Sequence, residues 1–138
     1  QGLTTPAVFW PLVLSTRARG YAHAGRPEVG LRLIEEALEI VDTEAFLHPE
    51  FSLVRAELLH GLGDKEATVA ALRGVVASGR RLGLRMPELR AATLLVRLRQ
   101  PGTVEQLRRV YESFTEGFDD PDLVDARAAL AELDVPVH

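Results

Sequence analysis

The sequence predicts an all-α fold: an α-α superhelix of stacked helical hairpins, closed by a C-terminal capping helix. Three observations carry this expectation. Apolar residues return at helical spacing through most of the chain, as in Leu31, Ile34, Leu38 and Val41, then Val69, Leu72 and Val76, then Leu123, Ala126, Leu130 and Leu133. Strand-type alternation never persists for more than a few residues, and Val, Ile and Thr are scattered among Ala, Leu, Arg and Glu, which favour helix. A spaced set of small, glycine and large residues also recurs along the chain, the mark of a repeat architecture.

Taken in order, the breaks at Gly25-Arg26-Pro27, His48-Pro49, Gly63-Asp64, Arg85-Met86-Pro87, Pro101-Gly102 and Gly117 to Pro121 delimit about seven helices. They form one helical-repeat domain over 1–138, with pairs at about 6–43, 47–83 and 87–117 and a capping helix at 120–133. Pro27, Pro49 and Pro87 suit first-turn positions, where a missing N–H removes no helical bond. Asp64 is placed to cap the helix after Gly63. Thr103 and Gln106 have the spacing of a capping box. The links Asp42 to Pro49 and Gly79 to Pro87 read as long connections.

The closing stretch, Tyr111 to Leu123, is aromatic and acidic, and each conspicuous residue has a structural duty. Tyr111 and Phe114 take large core positions. Gly117 ends the helix in a left-handed conformation and Phe118 packs back on its last turn. Asp120 then caps the final helix, with Pro121 first in it and Asp122 near the positive end of its dipole.

The repeat itself runs Ala18, Tyr21, Gly25, Gly30, Ile34 and Ala37; thirty-eight residues on it becomes Ala56, Leu59, Gly63, Thr68, Leu72 and Val75. A further thirty-nine give Leu95, Leu98, Gly102, Leu107, Tyr111 and Phe114. Small residues let two antiparallel helices approach, the glycine turns the chain, and the large residues fill the groove to the next pair. The pattern small, Tyr, Gly, small, large, Ala resembles the tetratricopeptide repeat and is matched best at residues 18–37, a resemblance that implies a right-handed α-α superhelix.

A narrower resemblance lies in Val110-Tyr111, Phe114-Thr115-Glu116-Gly117-Phe118-Asp119, Pro121-Asp122-Leu123 and Ala126. With Ala24-Gly25-Arg26-Pro27-Glu28, Gly30-Leu31, Glu36-Ala37-Leu38, Arg55-Ala56-Glu57-Leu58-Leu59 and Gly63-Asp64 upstream, it resembles the helical-repeat C-terminal region of bacterial class III adenylate cyclase-like and AAA/NB-ARC-type ATPase regulators. That resemblance covers most of residues 12–133. It implies a non-catalytic regulatory arm following a nucleotide-binding module. No G-x-x-x-x-G-K-[ST] loop occurs here, and the single lysine, Lys65, is not in a glycine-rich loop. Beginning at Gln1, the chain reads as a fragment of a longer protein.

Composition narrows the chemistry. An apolar fraction of 46% with 26% charged residues is globular, and 138 residues bury a sizeable core. Without cysteine there are no thiolate metal sites, disulfides or cysteine nucleophiles. No apolar run reaches the roughly 20 residues a membrane span needs, so the expectation is a cytoplasmic protein without a membrane partner.

The net charge of -4 hides a segregation: residues 73–109 carry nine arginines against two acids, whereas 28–66 and 112–134 are acidic. Arg73, Arg80, Arg81, Arg85, Arg90, Arg97, Arg99, Arg108 and Arg109 form this block. On the ordinary view they lie on outer helix faces and bridge to acidic neighbours. On the functional view they meet an acidic protein partner, with Arg80, Arg81, Arg90 and Arg97 as contacts. Nucleic acid is the poorer partner, because no aromatic lies between residues 73 and 109 to stack a base.

Other candidate sites dissolve on inspection. Asp119, Asp120, Asp122 and Asp125 lack the spacing and closing Glu of a calcium loop. Glu57 and His60 are half of a di-iron pair without its other half, and His23 and His48 have no triad partners. The expectation is therefore no catalytic residue, metal or cofactor, and a non-catalytic module binding a protein, a peptide or neighbouring domains of its parent chain. The alternative is a small-molecule sensor with a pocket lined by Trp10, Tyr21, Phe46 and Phe51.

Overall fold

The computed structural model describes residues 17–20, 24–41 and 47–134, and among these all regular structure is helical. Residues 17–20 are helical, and α1 (Pro27–Ile40), α2 (Leu47–Gly61), α3 (Lys65–Leu82), α4 (Arg85–Arg97), α5 (Thr103–Glu112) and α6 (Pro121–Asp134) follow. The all-α class therefore holds. Two compact units divide the chain, residues 1–71 and 72–138, with the division inside α3.

In the first unit the core is Ala18, Ile34, Ala37, Phe51, Val54 and Leu58, flanked by half-buried Leu31, Leu33, Leu38, Val41 and Leu47. Its geometry depends on Gly30. A Cβ there would lie 2.5 Å from the Ala18 carbonyl oxygen and 2.9 Å from Leu58 Cδ2, so only glycine lets α1 approach so closely. Between α2 and α3 the chain turns through Gly63 at φ +82°. Gly63 N–H donates to His60 O at 3.0 Å and Asp64 N–H to Leu59 O at 3.2 Å, the paired bonds of a Schellman ending. Asp64 then caps α3 as expected, its Oδ1 accepting the Ala67 N–H at 3.1 Å.

In the second unit α4 packs on both α5 and α6, which also pack on each other. α4 buries Leu89, Ala91, Ala92, Leu95 and Val96; α5 buries Leu107 and Val110; α6 buries Leu123, Ala126, Ala129 and Leu130. Asp120 caps α6 through a 2.9 Å bond from the Asp122 N–H, with Pro121 as its first residue.

Several expectations about joints are corrected. The link from Gly79 to Pro87 contracts to Gly83 and Leu84, because α3 continues through both arginines to Leu82 and α4 begins at Arg85. Pro49 and Pro87, by contrast, do stand in the first turn as expected, each third in its helix, where an amide has no helical acceptor in any case. The capping box at Thr103 does not form: Gly102 occupies the cap position without a side-chain bond, and the buried Thr103 hydroxyl donates back to Gln100 O at 2.6 Å. α5 ends at Glu112, five residues before Gly117, whose φ of +78° bends a loop instead of ending the helix. Phe114 lies beyond α5, and it and Tyr111 are half-buried, not core.

The corrections around α5 share one cause, the register of the third pair. Gly30, Ile34 and Ala37 on α1 are buried, as are Thr68, Leu72 and Val75 on α3, and on α5 the matching set is Thr103, Leu107 and Val110. That is thirty-five residues after the second set, one helical turn short of the spacing inferred through Gly102. The structural counterpart of Gly63 is Arg99, at φ +58°, with Arg99 N–H on Val96 O at 2.9 Å and Gln100 N–H on Leu95 O at 3.1 Å. A left-handed arginine is disfavoured. Arg99→Gly is therefore expected to raise the unfolding free energy by about 0.5–1 kcal/mol, offset in part by the freer unfolded chain, as read by urea denaturation.

Candidate functional site

The arginine block lies on α3, α4 and α5, with Arg99 between the last two, and Arg80, Arg85, Arg90 and Arg97 are engaged within the second unit. Arg80 Nε donates to Glu88 Oε2 at 3.3 Å; the Glu88 side chain is only 8% exposed, so Arg80 neutralises an almost buried carboxylate. Arg90 Nε lies 3.6 Å from Asp122 Oδ1. Arg97 Nη2 donates to Asp125 Oδ1 at 2.6 Å and to Asp125 O at 3.3 Å, and its Nη1 donates to Glu132 Oε1 at 3.3 Å. Burial pulls the Arg97 guanidinium down, but the bonds and charges of Asp125 and then Glu132 outweigh it and hold the group above its ordinary value. Basic α4 and acidic α6 are thus complementary through Arg90 and Arg97.

Arg81 is exposed near the end of α3. Arg73, Arg99 and Arg109 are exposed and make no ion pair among the described residues. Of the four contacts inferred from sequence, Arg80, Arg90 and Arg97 therefore have internal work, and none of the described ion pairs unites all four. Reversing the charge at Arg80 would set two carboxylates against each other. Arg80→Glu is expected to lower stability by about 1–3 kcal/mol, with Glu88→Gln in the same chain recovering part of the loss on thermal unfolding.

A second cluster was not legible as such. Arg85, first in α4, places its guanidinium carbon 5.2 Å from the Phe114 ring centroid and donates from Nη1 to Ser113 O at 2.7 Å, tying the loop after α5 to the start of α4. No sequence pattern pairs residues so far apart. The Tyr111 and Phe118 rings meet at 5.9 Å and 56°, so Phe118 does pack back on the last turn of α5, yet it stays 47% exposed. Glu112, Glu116 and Asp119, within a few residues of these rings in the chain, are exposed, and among the described residues none makes an ion pair.

The remaining candidates have ordinary surroundings. Asp120, Asp122 and Asp125 are occupied by capping and by arginines, and no group of three or more metal-ligating side chains is placed to hold an ion among the described residues. Glu57 lies 3.8 Å from Arg19 Nη2, His60 is exposed, and His48 Nδ1 meets Ser52 Oγ at 3.4 Å. Of the aromatics assigned to a sensor pocket, Phe51 belongs to the first unit's core; Trp10, Tyr21 and Phe46, like His23, lie outside the described residues. Among the described residues no helix is long and apolar enough to cross a membrane.

The chain matches no family model, and no curated protein or solved structure is significantly similar to it.

Proposed function

We propose that this chain is a non-catalytic, tetratricopeptide-like module that holds a protein or peptide, with its hairpins wound as a right-handed superhelix. The observation that carries this is the recurrence of one buried triplet, Gly30-Ile34-Ala37, Thr68-Leu72-Val75 and Thr103-Leu107-Val110, on three successive second helices. Repeats of this kind present surface on a rigid frame, so a partner is bound with little ordering cost. The wider proposal is a cytoplasmic regulatory C-terminal arm of a multidomain ATPase or cyclase-like signalling or transcriptional regulator. It rests on the resemblance of the closing segment, in which left-handed Gly117 is followed by the Asp120-Pro121 cap.

The test is affinity capture of stoichiometric protein partners by the whole chain, compared with an Arg73→Glu, Arg109→Glu variant of equal helicity. Both arginines are exposed and make no ion pair among the described residues, whereas reversing Arg80 would disturb Glu88. A saturable protein partner supports the proposal. Thermal stabilisation by a metabolite, with no protein partner, would favour a sensor instead.

A further inference from the structure

The loop between α5 and α6 contains two aromatic residues in unlike circumstances. Phe114 has the Arg85 guanidinium over its ring, and the same guanidinium is held by the Ser113 carbonyl. Phe118, four residues on, has no described cation over it, is about half exposed, and is supported from one side by the tilted Tyr111 ring. Glu116 and Asp119 flank Phe118 in the chain and Glu112 follows Tyr111, so three exposed carboxylates lie within a few residues of the two rings.

An aromatic face carries negative potential, and carboxylates beside it add to that field while leaving the ring apolar. Such a surface suits a side chain with an apolar stem and a positive head, which is what arginine and lysine offer. The Arg85–Phe114 contact shows that this loop already accepts a guanidinium in that manner.

From this we infer that the Tyr111–Phe118 ring pair, with Glu112, Glu116 and Asp119, docks an arginine- or lysine-bearing peptide segment of a protein partner. The inference rests on the protein-binding proposal and specifies its chemistry. It also gives the partner the opposite charge to the one the sequence suggests, since three of the four arginines expected to contact an acidic partner, Arg80, Arg90 and Arg97, pair with Glu88, Asp122, Asp125 and Glu132.

The test is a display selection of random short peptides on the whole chain, followed by fluorescence anisotropy of the selected peptides against wild type and variants. Phe118 is exposed in a loop, so the variants should keep wild-type helicity, which circular dichroism checks. Selected peptides should carry Arg or Lys beside an apolar residue. Phe118→Ala should weaken them about tenfold or more and Glu116→Gln with Asp119→Asn about threefold to tenfold, while Phe118→Trp should retain binding. Acidic winners would overturn the inference and return attention to the arginines. Cationic winners indifferent to Phe118→Ala would overturn it too, by reducing the attraction to net charge. A protein partner captured independently of Phe118 would leave the protein-binding proposal standing and this docking site refuted; the absence of any peptide or protein ligand would refute both.

Discussion

Phe51→Ala is expected to lower the unfolding free energy by about 3–5 kcal/mol, the largest effect of any single truncation considered. Phe51 is 2% exposed and belongs to the cluster with Ala18, Ile34, Ala37, Val54 and Leu58. Its neighbours cannot readily collapse into the void. Gly30 already brings the Ala18 backbone and Leu58 to the limit of approach, so the helices around the cavity have little room to shift. Urea unfolding followed by far-UV circular dichroism measures the loss, which is a large share of the roughly 5–15 kcal/mol by which domains are stable. A loss below about 1 kcal/mol would mean that Phe51 lies at a yielding surface, as a ligand-pocket residue would, and would revive the sensor alternative.

The second large effect tests the register of the third pair. Leu107 is fully buried on α5, whereas Phe114 lies beyond the helix, half-buried under Arg85. Leu107→Ala should therefore cost about 2–5 kcal/mol. Phe114→Ala should cost nearer 1 kcal/mol, the scale of a partly exposed ring with one cation–π contact, although phenylalanine is the larger residue. The spacing inferred through Gly102 instead places Phe114 in the core and Leu107 at the small position of Gly30 and Thr68, so it predicts a loss at Phe114 at least as large as at Leu107. The same denaturation experiment, run on both variants, separates the two registers.

The helices were legible because hydrophobic periodicity is a local signal with physical force: a helix must bury one face, and Ile34, Leu72 and Leu130 mark that face without reference to partners. Asp64 and Asp120 were legible as caps for the same reason, each acting within three residues of itself. The third repeat is hidden because its nearest glycine, Gly102, is not the residue that turns the chain. Arg99 occupies the left-handed position that Gly63 fills in the second pair, and Gly102 instead precedes the next helix. A strained arginine in a glycine's place leaves no trace in a pattern search. The arginine block was legible as charge but not as geometry, since the partners of Arg90 and Arg97 stand far along the chain on α6. The Arg85–Phe114 contact and the tilted Tyr111–Phe118 pair depend on how the loop after α5 folds back, which no spacing encodes.

The central claim, that buried repeat positions build a frame and the exposed surface binds protein, is tested most directly by a mutational scan with two readouts, folded abundance and partner binding. Substitutions at Gly30, Ile34, Leu72, Val75, Leu107 and Val110 should reduce binding only in proportion to the folded protein lost, while a separate set of exposed positions should reduce binding at unchanged abundance. Binding losses at constant abundance confined to buried positions converging on one cavity would contradict the claim and indicate a small-molecule site.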